Sequence, residues 1–324
     1  MILQSHYLDR KAVTLDGTRD GFGRGLVEAG AEHPNLYVLS ADLTESVKVD
    51  GFKKAFPGRF VQFGVSEQSL AAIGAGMAMN GARTVLASYA AFSPGRNWEQ
   101  IKTTIALQNA PVVIVGGHSG VTVGEDGATH QMLEDIALMR VLPNMTVLAP
   151  CDANEAQKAI KAALKVDGPV YLRITRPKSP LFTTATASFE IGRAQILKPG
   201  SDLAIIGCGP LLYEALQAAA ELESEGISVR VVNAASIKPL DEETILEAAK
   251  ACGAVLTIEE AQVAGGLGSA VAELLAEQHP TPMIRMGIMD RYGESGTSSE
   301  LLEHFKLTAP HIVKNARSLL RRKS

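Results

Sequence analysis

Short apolar runs alternate with longer segments of helical periodicity along almost the whole chain. Leu36–Ser40, Thr84–Ala87, Pro111–Gly117, Met145–Ala149 and Val170–Ile174 predict strands. Glu67–Asn80, Arg96–Gln108, Gln131–Leu142 and Asn154–Lys165 predict the helices between them. The segment Arg176-Pro177-Lys178-Ser179-Pro180-Leu181-Phe182-Thr183-Thr184 interrupts this rhythm, and its two prolines and Ser/Thr cluster predict a linker. A second series follows, with strands at Leu203–Cys208, Val229–Ala234, Ala254–Glu259 and Met283–Met286. Its helices are expected at Leu211–Glu225, Asp241–Ala251, Leu267–Gln278 and Ser298–Phe305, with Asp241 as an N-cap. Strand–helix alternation of this kind builds parallel sheets covered by helices on both faces. The expected fold class is therefore α/β, with two parallel or mostly parallel sheet domains. A boundary near Thr183–Phe189 divides the chain into 1–185 and 186–324.

Bulk properties narrow the function classes. A chain of 324 residues suits two domains. The formal net charge of −4 makes no electrostatic case for nucleic acid. The basic stretch Lys314–Lys323 reads as the last turns of a terminal helix, where cations are favoured. There is no apolar run of membrane-spanning length, and the first residues lack the pattern of a signal peptide. Cys151, Cys208 and Cys252 are widely spaced and lie in or beside apolar segments, as buried thiols do in a reducing compartment. A cytoplasmic protein without membrane or nucleic-acid partners is the expectation.

Four segments carry candidate chemistry. In Val123-Gly124-Glu125-Asp126-Gly127-Ala128-Thr129-His130-Gln131, glycines permit a tight turn after the predicted strand Pro111–Gly117. Asp126 and His130 then stand at the carboxyl end of a strand, where open α/β sheets bind ligands. Taken alone this is as well an ordinary polar loop. Glu67 opens a helix whose next turns, Leu70 to Met79, are apolar on every side. The acid can simply complement the helix dipole, but at the edge of a dry interior a carboxylate needs a partner. The helix itself reads as buried, with small residues that allow close packing, and is a candidate subunit seam. Tyr89 and Phe92 are either two core aromatics or a slot for a flat heteroaromatic ring. His118, within Gly116-Gly117-His118-Ser119-Gly120, falls at the same predicted edge as Asp126 and His130, which favours a site over a satisfied core histidine.

Together these residues resemble the C-terminal half of transketolase, its pyrimidine-binding and C-terminal domains, over essentially the whole chain. The resemblance rests on GEDGATHQ, the upstream GVSEQ and the DLTES segment. It implies that Glu67 hydrogen-bonds the aminopyrimidine of thiamine diphosphate and promotes the imino tautomer, which removes the thiazolium C2 proton. Tyr89 and Phe92 resemble the aromatics that hold that ring. Gly95 stands where the family often has a third. Asp126 resembles the acid that reads a donor hydroxyl, and His130 the histidine that polarises the donor carbonyl. Asp42 resembles a structural or cofactor-contacting acid. Arg19, Ser46, His118 and Arg176 resemble the clamp for the sugar phosphate, and forked arginine donors suit such an anion.

One part of the family pattern is absent from the sequence. The diphosphate and Mg²⁺ are held in the family by Gly-Asp-Gly followed later by Asn, and neither Glu125-Asp126-Gly127 nor Val166-Asp167-Gly168 matches. No metal ligand is therefore expected in this chain. The resemblance then implies a split transketolase that moves a two-carbon ketol unit from a ketose phosphate to an aldose phosphate. A partner N-terminal subunit would supply the diphosphate and Mg²⁺ site, with two copies of this chain in an α2β2 assembly. The second domain reads as serving association. Gly265-Gly266-Leu267-Gly268 is a weak phosphate signal. A deoxyxylulose-phosphate synthase-like subunit, a 2-oxo-acid dehydrogenase beta-like subunit and a non-catalytic paralogue remain as alternatives.

Overall fold

The structure, a computed structural model, describes residues 2–323. The chain begins with a short strand, β1 (Leu15–Gly17), and a glycine-rich helix, α1 (Thr18–Glu32). Then come β2 (Leu36–Ser40), α2 (Asp50–Ala55), β3 (Phe60–Gln62), α3 (Glu67–Met79), β4 (Arg83–Tyr89), a single turn α4 (Trp98–Gln100) and β5 (Val112–Gly117). The first region continues with α5 (Asp135–Arg140), β6 (Thr146–Leu148), α6 (Ala153–Ala163), β7 (Val170–Arg173) and β8 (Lys178–Pro180). The second region contains β9 (Gln195–Lys198), β10 (Leu203–Gly207), α7 (Leu212–Ser224), β11 (Val229–Asn233), β12 (Ser236–Lys238) and α8 (Glu242–Cys252). It ends with β13 (Val255–Gln262), α9 (Leu267–Gln278), β14 (Met283–Ile288), α10 (Ser298–His304) and α11 (Ala309–Lys323).

Two main sheets result. The seven-stranded sheet has the order β12-β6-β7-β5-β4-β2-β3, and every pair except β12 with β6 is parallel. The five-stranded sheet has the order β14-β13-β10-β11-β9, parallel except for β9. This is the α/β class expected. The edge strand β12 follows the linker in sequence yet pairs with the first sheet. One hydrophobic cluster accordingly runs from Leu39, Leu70 and Leu86 through to Ile206, Val232 and Ile245. The two regions share apolar interior.

Local departures from the sequence pattern have identifiable causes. α1 goes unread because glycine is a poor helix former. Its glycines serve packing instead: a Cβ on Gly21 would lie 2.0 Å from the Ala153 carbonyl oxygen, and one on Gly25 2.5 Å from that of Gln157. The expected helix Arg96–Gln108 is a single turn followed by a π-helical stretch, Ile101–Ala106, where Thr103 and Thr104 donate their hydroxyls to the carbonyls of Glu99 and Gln100. The expected helix from Gln131 starts only at Asp135. Its first residues are drawn off by the Ser119–Met132 bridge and by the Gln262 amide, which donates to Leu133. The linker is tied down, since β8 pairs antiparallel with β1.

The apolar helix α3 is only half buried. Leu70, Ala71, Gly74, Ala75 and Ala78 face the core, whereas Ile73 and Met79 are exposed at 46% and 60%. All-round apolarity therefore marks one face for this chain's core and leaves the other open.

Candidate functional site

The parallel strands of the seven-stranded sheet deliver the candidate residues to one edge. β2 ends just before Asp42 and Ser46, β4 ends at Tyr89, β5 ends immediately before His118, and β7 leads into Arg176. Glu67 opens α3 a few residues after β3. This is the carboxyl edge where open α/β sheets bind ligands.

Glu67 is 1% exposed. Its Oε2 accepts from Arg96 Nη1 at 2.7 Å, while its Oε1 is buried and has no partner. Its backbone carbonyl accepts from Asn97 Nδ2 at 2.8 Å. In the sequence pattern Arg96 and Asn97 mark only the start of a predicted helix. The guanidinium of Arg96 also lies 4.9 Å from the centroid of Phe92. Tyr89 and Phe92 lie 6.0 Å apart with nearly parallel rings, and Phe92 meets the edge of His130 at 5.5 Å. The acid, the aromatics and the histidine of the GEDGATHQ loop are thus one contiguous group.

His118 is buried against Tyr89, with ring centroids 3.8 Å apart. Its backbone has φ of +56°, a left-handed conformation uncommon for a residue with a side chain and concentrated at functional sites. Its Nδ1 has no hydrogen-bond partner. Burial pushes its pKa down to about 3, with the positive charges of Arg19 and Arg176 and the neighbouring His130 adding to the effect. The imidazole is therefore neutral at ordinary pH, and two arginines stand close enough to influence it. Arg19, at the start of α1, donates from Nη1 to the Ser46 carbonyl at 3.0 Å, and its buried Nε has no partner. Arg176 donates to the Val123 carbonyl at 2.5 Å and pairs loosely with Glu125 at 3.3 Å and Asp126 at 4.0 Å. His130 shares a hydrogen bond between Nδ1 and Thr129 Oγ1. Asp42 has φ of +60°, and its amide donates to Gln62 Oε1. Its side chain is exposed after β2. The structure brings Arg19, Ser46, Tyr89, Phe92, His118, Asp126, His130 and Arg176 together, with Glu67 joined through Arg96.

The second region also shapes this edge, which the sequence did not reveal. Glu260 Oε1 accepts from the Thr122 amide at 2.6 Å and hydroxyl at 2.7 Å. Gln131 Nε2 donates to the carbonyls of Val121 and Glu294. Ser298 donates to the Thr122 carbonyl. Gly127, at φ of +73°, leaves no room for a Cβ, which would sit 2.5 Å from Ser295 Oγ. The loop bearing Asp126 and His130 is therefore braced from both sheets. The glycine-rich turn Gly265–Gly268 is not open to phosphate: Glu259 accepts from the Leu267 and Gly268 amides at 2.7 Å each.

Residues 17–180 match the model for the transketolase pyrimidine-binding domain, and residues 192–312 match the transketolase C-terminal domain. The chain belongs to the transketolase family. It is 42% identical over 301 residues to a protein named as a transketolase C-terminal section from Methanocaldococcus jannaschii, covering 92% of this chain and 94% of that one. It is 38% identical to the 6-deoxy-6-sulfo-D-fructose transketolase subunit SqwH of Clostridium sp. (strain MSTE9), covering 94% and 95% of the two chains. A solved structure described as a split gene transketolase, inactive beta4 tetramer, superposes with a TM-score of 0.89 at 43% identity, covering 95% of this chain and 99% of that one. Membership of this family implies dependence on thiamine diphosphate. The residues fit the pyrimidine end of that cofactor, because Glu67 keeps a buried, unpartnered acceptor, Oε1, while the arginine that holds its other oxygen lies over the Phe92 ring. Among the described residues no helix is long and apolar enough to cross a membrane.

Proposed function

We propose that this chain is the C-terminal subunit of a split transketolase, moving a two-carbon ketol unit from a ketose phosphate to an aldose phosphate. It acts only with an N-terminal subunit that holds the diphosphate and Mg²⁺, two copies of each forming an α2β2 assembly. The carrying observation is that charged or titratable side chains gathered at one sheet edge keep buried polar atoms without partners, Glu67 Oε1, His118 Nδ1 and Arg19 Nε, with Ser40 Oγ, Ser88 Oγ and Asn97 Oδ1 unpartnered on neighbouring residues. Buried polar groups in folded proteins are almost always paired, so such a cluster marks atoms that await a ligand.

When bound, thiamine diphosphate supplies the carbon nucleophile that takes up the two-carbon unit. Glu67 Oε1 accepts a hydrogen bond from the aminopyrimidine and orients it, and Phe92 and Tyr89 flank the ring. His130 orients the donor carbonyl and handles the proton on the acceptor oxygen, as an imidazole with one ring nitrogen to donate and one to accept can do. Asp126 takes a donor hydroxyl, and Asp42 contacts the cofactor side of the site. Arg19 and Arg176 provide charge-assisted donors to the sugar phosphate, with neutral His118 and Ser46 beside them. The exposed face of α3, with Ile73 and Met79, is the seam between two copies of this chain. In this reading the two domains divide at 185/186 and the protein works in the cytoplasm.

The test is a native pull-down followed by reconstitution. A stoichiometric partner carrying Gly-Asp-Gly and a later Asn is expected, and the complex should transfer two carbons between sugar phosphates while this chain alone does not. The donor panel should include a 6-deoxy-6-sulfo-ketose, since a relative bears that name. Absence of such a partner would turn the reading toward a non-catalytic paralogue.

A further inference from the structure

Arg96 is the residue through which the buried acid and the aromatic wall are mechanically joined. One Nη donates to Glu67 Oε2 at 2.7 Å, and the guanidinium carbon lies 4.9 Å from the Phe92 centroid. With Oε2 so engaged, Oε1 is left as the single open acceptor of a carboxylate that is 1% exposed. A planar guanidinium can bond a carboxylate along its edge and cover a ring with its face, which a lysine ammonium does less well.

The preceding residue explains why this arrangement is needed. A Cβ on Gly95 would lie 2.1 Å from the Ala91 carbonyl oxygen, so no aromatic side chain fits there without moving the backbone. The third ring of the family pattern is excluded by the local turn. Asn97 holds the other side of that turn, donating from Nδ2 to the Glu67 carbonyl at 2.8 Å and to Ser93 Oγ at 3.2 Å. Arg96 projects between these constraints with 48% of its side chain exposed. Surface exposure weakens an ion pair, and its strength rises when a partner surface excludes water.

We infer that Arg96 is a positioning residue that takes the place of the missing third aromatic, holding Phe92 by its face and turning Glu67 so that Oε1 meets the cofactor pyrimidine. This rests on the functional reading above. Arg96 acts through Glu67 and the ring, and performs no proton transfer of its own.

The experiment uses the complex with the N-terminal subunit and compares wild type, Arg96→Met and Arg96→Lys. Thiamine diphosphate binding is followed by calorimetry, and the pyrimidine tautomer by its near-ultraviolet circular dichroism. Arg96→Met should lose the tautomer signal and lower kcat by about tenfold or more, the cost of one charge-assisted contact, with KM for the donor changed by less than about twofold. Arg96→Lys should restore part of both. An unchanged tautomer signal in Arg96→Met, whatever happens to kcat, would overturn the inference, because the effect would then lie away from Glu67. If Arg96→Met fails to assemble, a wild-type signal and rate in a complex of Arg96→Ala would overturn it in the same way. Failure of the wild-type complex to bind thiamine diphosphate would remove the functional reading first, and this inference with it.

Discussion

Glu67 and Glu259 are both carboxylates in the interior, one at each sheet, and they have opposite fates. Glu259 lies within β13, and both of its oxygens are satisfied by the first amides of α9. Glu67 opens α3 with one oxygen bound to Arg96 and the other bound to nothing. A helix start needs acceptors for its free N–H groups, and Glu259 provides them from a neighbouring strand. The full satisfaction of Glu259 closes its glycine-rich turn to outside anions. The half-satisfaction of Glu67 leaves an acceptor open at the sheet edge where the other candidate residues gather. Burial of an acid is thus no sign of function by itself; what distinguishes the two is an unfilled hydrogen-bonding position.

The largest expected effect breaks the comparison at its active side. Glu67→Ala in the reconstituted complex should lower turnover by about a hundredfold or more, the usual range for a positioned acid–base group, with assembly retained on gel filtration. Wild-type turnover would place Glu67 beside Glu259 as a structural acid. Next in size, Arg176→Ala should raise KM for phosphorylated donors by about tenfold, the loss of one charge-assisted contact. An equal rise with an unphosphorylated donor would dissolve the clamp. The smallest effect concerns stability. Burial raises the Glu259 carboxyl from 4.5 to about 7. Between those values the folded chain holds a proton that the unfolded chain has released, so stability falls as pH rises through this window and levels off above it. Glu155, also lifted to about 7 by burial, contributes in the same direction. His118, lowered from 6.5 to about 3 by burial, opposes them, since below its ordinary value the unfolded chain takes up a proton that the folded chain does not. Two raised acids outweigh one histidine, so the melting temperature should be higher at pH 5 than at pH 8, and Glu259→Gln should reduce that difference. Scanning calorimetry of wild type and variant at the two pH values decides it, and an unchanged difference would remove Glu259 from the account.

Much of the first sheet and its edge could be read in the chain, because the signals there are local. Apolar runs such as Val112–Gly117 mark buried strands, and glycines at positions 124 and 127, both at positive φ, mark the turn that carries Asp126 and His130. Arg96 escaped notice since an arginine after an aromatic pair reads as a helix surface. Its role depends on an acid 29 residues earlier. Glu260 escaped for the same reason, since its partner Thr122 lies 138 residues away. Strand β12 is a three-residue run whose partner strand β6 precedes the linker, so no local pattern assigns it to the first sheet.

The sequence by itself determined the class of fold and the family and offered a set of candidate side chains, because periodicity, turn glycines and a motif are carried by neighbouring residues. The tertiary structure alone decided which polar atoms are satisfied: Glu259 by α9, Glu260 by the Thr122 loop, Glu67 only in part. Hydrogen-bond satisfaction is a property of what surrounds an atom in space, and in this chain those surroundings come from segments far apart in sequence.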